Sequence, residues 1–210
     1  MIFQDRKDAG QKLAQELKKH KLNNMIVLGL PRGGIPVAYE VAKELGAPLS
    51  LVAARKLGVP FHEELGFGAI APNNTLYINE DLVRSLGITQ DQINLVVEKE
   101  SKELERRTQL YLGHKVLPDL KNKTVVLVDD GLATGVTMLA AIKYVKNFKP
   151  KEIILAVPVS AEDTLQNLSK EVDKVICLLS SKEFYAVGQW YGDFDQTSDE
   201  EVIRLLSMLQ

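Results

Sequence analysis

The sequence predicts an α/β fold, an open and mostly parallel sheet with helices on both faces. Apolar runs at residues 25–30, 49–54, 123–128, 153–157 and 174–179 do not alternate with polar residues, so each reads as a strand buried on both faces. Helical patterns separate most of them. The first strand, a helix and the second strand follow within about thirty residues, the span of a βαβ unit with parallel strands. At 210 residues the chain suits one domain of ordinary size.

Each element has a local reason. Residues 5–20 space Ala9, Leu13 and Leu17 by four, one face of an amphipathic helix. The strand at 25–30 ends in Pro31-Arg32-Gly33-Gly34, a tight loop. A helix over 35–45 follows, with Pro36 tolerated in its first turn and Gly46 closing it. Residues 55–64 mix charge, Gly and Pro without periodicity and read as a long mobile loop. Residues 67–78, with Asn73-Asn74 at the middle, read as a β-hairpin. Thr89 and Gln92 form a capping box that opens a long, highly charged helix with a narrow apolar stripe of Ile93, Val96, Val97, Leu104 and Tyr111. That narrow stripe suggests a homodimer contact. After the strand at 123–128 a helix runs to about Asn147, with Met138, Ala141, Ile142 and Val145 on one face. A short helix spans 162–169, and Ser198 with Glu201 opens a closing helix. Phe184, Tyr185, Trp190, Tyr191 and Phe194 crowd the stretch between.

Composition excludes several classes. Lys and Arg number 26 against 28 Asp and Glu, a net charge of −2, so the basic excess of a dedicated nucleic-acid binder is missing. With 45% hydrophobic and 26% charged residues the chain is not a disordered one. No run approaches the ~20 apolar residues of a membrane span, and Met1-Ile2-Phe3-Gln4-Asp5-Arg6 is unlike a signal peptide. A cytoplasmic protein is expected. The single cysteine, Cys177, lies in an apolar run and reads as a small core residue.

The strongest chemical signal is Val125-Val126-Leu127-Val128-Asp129-Asp130-Gly131-Leu132-Ala133-Thr134-Gly135-Val136-Thr137. An apolar strand delivers two adjacent carboxylates, then a loop of small and hydroxyl residues, then a helix start. Such a loop folds backbone N–H groups around a phosphate, and Thr134 and Thr137 add hydroxyl donors. Two carboxylates beside an anion site need other partners, such as sugar hydroxyls or a metal. A phosphorylated ribose meets both demands. An ordinary capped turn is the alternative for Asp129-Asp130 taken alone.

This string resembles the ribose-phosphate-binding signature of type I phosphoribosyltransferases, and the resemblance extends over nearly the whole chain. It is similar above all to a branch with an inserted helical region and a C-terminal Trp-Tyr segment. The resemblance implies a single phosphoribosyltransferase-like domain over 1–210, an inserted hairpin and helical subdomain at 66–118, and a C-terminal hood at 181–210. It implies magnesium-dependent transfer of ribose 5-phosphate from phosphoribosyl pyrophosphate to a nitrogenous base, with release of pyrophosphate. By position, Asp129 and Asp130 would hold the ribose hydroxyls, directly or through Mg2+, and Gly131, Leu132, Ala133, Thr134, Gly135 and Thr137 the 5-phosphate. Pro31-Arg32-Gly33-Gly34 resembles the pyrophosphate loop, where Arg32 donates to the leaving phosphates and Gly33 and Gly34 expose N–H groups; a plain strand-to-helix turn is the other reading. Arg55-Lys56 resembles the start of the family's flexible catalytic loop, a lid that neutralises the leaving group, against a solvated basic turn. Glu64 resembles a carboxylate that moves a proton near the base, with Glu63 competing for the role.

Where hypoxanthine-guanine enzymes carry an Asp this chain has Ala133, a departure that leans away from 6-oxopurines and leaves the base unidentified. Trp190 and Tyr191 are candidates to stack on that base, or else plug the sheet edge. His20, His62 and His114 have no Ser or Cys in motif context, and Arg106-Arg107 is a recurring pair of the branch without an assigned role. A non-catalytic regulator of the same fold that senses phosphoribosyl pyrophosphate is the alternative function. A Rossmann module ranks last, because no Gly-x-Gly-x-x-Gly follows the first strand.

Overall fold

A computed structural model describes residues 2–113 and 117–209; His114 lies outside the described residues. The chain opens with α1 (Arg6–Lys18), β1 (Met25–Gly29), α2 (Gly34–Leu45) and β2 (Leu49–Leu51). There follow β3 (Arg55–Val59), β4 (His62–Ala71), β5 (Thr75–Ile78), α3 (Glu80–Leu86) and α4 (Gln90–Leu112). The second half comprises β6 (Thr124–Val128), α5 (Val136–Lys146), β7 (Glu152–Ala161), α6 (Glu162–Leu168), β8 (Lys174–Ser181) and α7 (Asp199–Ser207). Five strands form one parallel sheet in the order β2-β1-β6-β7-β8, and β3-β4-β5 form a separate antiparallel sheet. Among the described residues no helix is long and apolar enough to cross a membrane.

The unalternating apolar strands are explained by their two covered faces. Val27, Val126, Val128, Ile154 and Ala156 point to one side, where they join Leu13 and Leu17 of α1, Val37 and Val41 of α2, and Leu205 of α7. Ile26, Leu28, Val125, Leu127 and Leu155 point to the other, against Met138, Ala141, Ile142 and Val145 of α5. Successive side chains of a strand alternate faces, so a strand buried twice must be apolar throughout. Cys177 of β8 belongs to this packing. Its thiol donates to the Leu179 carbonyl at 3.1 Å, and burial pushes its pKa up to about 11.

Helix limits follow the expected caps. Asp5 accepts from the Asp8 N–H ahead of α1, Gly46 closes α2 with φ 62°, and Thr89 with Gln92 makes the capping box of α4. Asn73 and Asn74 turn the β4–β5 hairpin with φ of 56° and 53°, the left-handed conformations a two-residue turn requires. Helix α3, capped by Asn79, is an element that hydrophobic periodicity did not indicate.

One expectation is corrected. Residues 55–64 are not a loop throughout: β3 pairs antiparallel with β4, Arg55 opposite Ile70 and Lys56 opposite Ala69. Register shifts around Gly58 and a turn through Pro60 and Phe61 break the alternation that would betray a strand. Leu57 and Val59 are nevertheless buried.

Leu127 is fully buried on the central strand, whereas Leu95 of α4 is 68% exposed. Leu127→Ala is expected to cost about 2–5 kcal/mol in denaturant unfolding, and Leu95→Ala within about 0.5 kcal/mol of nothing. Equal losses would contradict this placement of the core.

Candidate functional site

In the parallel sheet Leu51, Gly29, Val128, Ala156 and Ile176 form a single row. The chain leaves β1 toward β2 on one side and β6 toward β7 on the other. The loops that follow β1 and β6 therefore part, and a crevice opens beyond the carboxyl ends of these strands, where ligands of such sheets bind. Pro31-Arg32-Gly33-Gly34 enters it from β1, after a cis Pro31–Arg32 peptide, and the acidic pair with its loop enters from β6.

The two segments meet without room for side chains between them. A Cβ on Gly33 would strike the Asp130 carboxylate, and one on Gly34 would lie 2.9 Å from the Asp129 Cα and carboxylate. The glycines are thus required by the close approach of one loop to the other. The Leu30 N–H donates to the Val128 carbonyl at 2.9 Å and fixes the approach.

Asp130 is buried, at 9% exposure. Arg6 at the start of α1 donates Nε–H to its carboxylate at 2.8 Å and Nη1–H to the Asp195 carbonyl at 2.7 Å. The same guanidinium lies 3.8 Å from the centre of the Phe194 ring. The Tyr191 hydroxyl donates to the Asp130 main-chain carbonyl at 2.5 Å. Asp129 accepts from the Asp130 N–H at 2.9 Å. Burial pushes the Asp130 pKa up while Arg6 pulls it back; Asp129, without a direct cation, is pushed well up by burial and by the Asp130 charge.

Beyond the acids the loop is tied to β7 through Leu132 and to α6 through Ala133. Leu132 N–H donates to Val159 at 3.0 Å, Ala161 N–H to Leu132 at 2.9 Å, and the Thr164 hydroxyl to Ala133. Among the described residues the N–H groups of Ala133, Thr134, Gly135, Val136 and Thr137 have no acceptor, nor have the Thr134 and Thr137 hydroxyls. Gly135 has φ 69° and starts α5, so a row of free donors meets a helix N-terminus. Gly131 packs beneath Val187 and Val159.

Arg32, on the loop that follows β1, has Nη1 3.5 Å from Asp199 at the start of α7. The other cations sit on the β3–β4 hairpin, bordering a cavity of about 270 Å³ lined also by Pro60, Glu63 and Glu100. Arg55 donates from Nε at 2.8 Å and from Nη2 at 2.6 Å to one oxygen of Glu100, which is buried on α4. Lys56 donates to the Glu64 carbonyl at 2.8 Å, and the Glu64 carboxylate is fully exposed 3.6 Å away. The Lys56 stem crosses Gly66, whose Cβ position is 3.8 Å from Val136 of α5, so Lys56 adjoins the phosphate-type loop.

The structure thus gathers Arg32, Gly33, Gly34, Asp129, Asp130 and residues 131–137, with Lys56 beside them. Arg55 and Glu64 face the hairpin cavity instead. Trp190 packs on Phe184, ring centres 6.0 Å apart, and its buried Nε1–H has no acceptor among the described residues. Tyr191 is not presented for stacking: it is buried and its hydroxyl is engaged by Asp130. Arg106 and Arg107 both bind Glu103 on their own helix.

Sequence reading missed Arg6, Asp199 and Glu100, and gave Tyr191 a different part. Arg6 and Asp130 are 124 residues apart, so no local pattern joins them. A faint signal exists, because a cation in the first turn of a helix opposes the helix dipole and needs another reason to be there.

A family model described as phosphoribosyl transferase domain matches residues 2–191, and the chain belongs to that family. Rv0571c of Mycobacterium tuberculosis, a candidate phosphoribosyl transferase, is 42% identical over 205 residues, covering 98% of this chain and 46% of its own. The chain therefore spans about half the length of the curated relatives it matches first. TT1426 from Thermus thermophilus superposes with a TM-score of 0.84 at 35% identity, covering 100% of this chain and 99% of the other. An orotate phosphoribosyltransferase from a Thermoanaerobacter species is 38% identical over 86 residues, 41% of this chain and 43% of its own.

Removing the Arg6 charge strands a buried carboxylate. Arg6→Met is expected to cost roughly 3–5 kcal/mol at neutral pH, and Tyr191→Phe about 1–3 kcal/mol, measured by denaturant unfolding. Asp130 has a folded pKa above its ordinary 3.8. The folded state therefore binds the extra proton as pH falls toward that value, and ionisation weakens stability as pH rises through the folded pKa. The Arg6→Met deficit should accordingly shrink on acidification from neutrality; a deficit that widened would contradict the pairing.

Proposed function

We propose that this domain transfers ribose 5-phosphate from phosphoribosyl pyrophosphate to a nitrogenous base and releases pyrophosphate. The observation that carries the reading is the close contact of Gly33 and Gly34, which lack side chains, with Asp130 and Asp129. It sets a cationic loop and an acidic pair on opposite walls of one crevice, with free amides at its end. In this reading the donors of residues 133–137 bind the 5-phosphate, aided by the Thr134 and Thr137 hydroxyls, and Asp129 and Asp130 accept from the ribose 2- and 3-hydroxyls. Arg32 and the Gly33 and Gly34 amides face the pyrophosphate.

The bond from C1 of the ribose to the pyrophosphate oxygen breaks with its electron pair leaving on pyrophosphate. A ring nitrogen of the base supplies the pair for the new C1–N bond and gives up its proton. Positive charge grows on the ribose ring and negative charge on the leaving group, so fixed cations and donors do most of the work. Lys56 and Arg55 are assigned to the departing charge and Glu64 to the proton of the base. Arg55 must exchange Glu100 for pyrophosphate, and the hairpin must turn toward the crevice, for these three to serve. Trp190 is assigned to the base.

A magnesium ion fits the donor set. Among the described residues no three metal-ligating side chains cluster, and Mg2+ is commonly held by one or two carboxylates while water and substrate phosphates complete its shell. Asp129, the acid without a direct cation, and Asp130 are the residues that would hold it. When bound it would neutralise charge on pyrophosphate.

The test is consumption of phosphoribosyl pyrophosphate with each of a panel of purine and pyrimidine bases, read as pyrophosphate release. One base should be consumed. Asp130→Asn should keep the fold and lose roughly 10²–10³-fold in rate, the scale of one positioned electrostatic group. Full activity in that variant would remove the ribose role; tight donor binding with no turnover on any base would mark a sensor instead.

A further inference from the structure

Arg32 is held from behind by a group that the transfer reaction itself does not use. Asp199, the first residue of α7, presents one carboxylate oxygen to two donors: the Tyr111 hydroxyl at 2.6 Å and Arg32 Nη1 at 3.5 Å. Tyr111 closes the buried stripe of α4 and is 6% exposed. Burial and the Asp199 charge push its pKa up to about 12, so the phenol keeps its proton and remains a donor. Among the described residues Arg32 has no other hydrogen-bond acceptor, and its side chain is 26% exposed, so its remaining N–H groups are free to donate to a ligand.

We infer that Asp199 and Tyr111 are positioning residues that aim Arg32 at the diphosphate group of the donor substrate. An arginine side chain loses much rotamer freedom when it binds an anion, and a carboxylate touching one edge of the guanidinium removes part of that cost before the ligand arrives. Tyr111 serves at one remove, by fixing which oxygen of Asp199 points inward. The long helix α4 thus reaches the crevice through a phenol and a carboxylate rather than through its own cations, since Arg106 and Arg107 are bound to Glu103. A joint that merely fastened α7 to α4 would need the Tyr111–Asp199 bond but no guanidinium beside it. The inference rests on the proposed assignment of Arg32 to pyrophosphate.

The experiment is calorimetric titration of the intact protein, with Mg2+ present, using inorganic pyrophosphate and, separately, ribose 5-phosphate. Asp199→Asn should weaken pyrophosphate roughly tenfold, the scale of one charge-assisted hydrogen bond, and Tyr111→Phe roughly threefold. Asp199→Glu should recover part of the loss. Ribose 5-phosphate, bound by the loop after β6, should change by less than about twofold in all three. In an Arg32→Met background Asp199→Asn should add nothing, because residues acting through one another are not additive. Equal weakening of both ligands, additivity with Arg32→Met, or an Asp199→Asn protein that binds pyrophosphate normally would each overturn the inference. If Arg32→Met itself binds pyrophosphate normally, the assignment of Arg32 fails first, and that outcome is distinct from the others.

Discussion

The structure depends most on keeping an ionisable pair, Asp129 and Asp130, at the buried end of a strand. Two adjacent carboxylates in such a place repel one another and lose hydration, and both costs rise as water is excluded. Arg6 offsets one of the two charges from a helix 124 residues away in sequence. Its guanidinium also binds Asp195 and covers Phe194, so the compensation ties the first helix to the C-terminal segment. Tyr191 fixes the main chain of the same aspartate. Asp129 has no direct cation among the described residues, and burial together with the Asp130 charge pushes its pKa well up.

The rest of the architecture serves that placement. A five-strand parallel sheet buried on both faces sets the ends of β1 and β6 side by side in register, and the reversal of strand order opens the space above them. Because Gly33 and Gly34 carry no side chain where they meet Asp130 and Asp129, the two loops come into direct contact instead of forming separate turns. The second sheet and α4 stand to one side and contribute charged groups held in pairs, Arg55 with Glu100 and Lys99 with Glu63.

Much of this was legible from the amino-acid order alone. Unbroken apolar runs identified the strands because double burial leaves no polar positions to interrupt them. The string from Val125 to Thr137 stood out because its carboxylates, glycines and hydroxyls are contiguous. Two kinds of information were hidden. The β3 strand was obscured by a bulge at Gly58 and a turn at Pro60, which erase period-two patterning within five residues of a genuine ladder. The supports of the site, Arg6, Asp199 and Glu100, were hidden because each pairs across the fold, and a single charged residue on a helix looks the same whether it meets water or a buried partner. Tyr191 was visible as an aromatic in a crowded segment, yet what matters is its hydroxyl, whose target no local spacing reveals.

Strand β7 runs five residues past the row at which β2, β1 and β6 end, and Leu132 bridges to Ser160 on that overhang. The crevice therefore has a floor continuous with the sheet and a rim that is not. Amide protons at Leu132 and Ala161 are held in strand-like hydrogen bonds and are expected to exchange slowly, whereas those of Ala133 and Thr134, exposed residues whose N–H groups have no acceptor among the described residues, are expected to exchange fast. The loop leaves the sheet already fastened at Leu132 and carries unpaired N–H groups beyond that point among the described residues. It offers a stiff shelf with unsatisfied hydrogens along one edge.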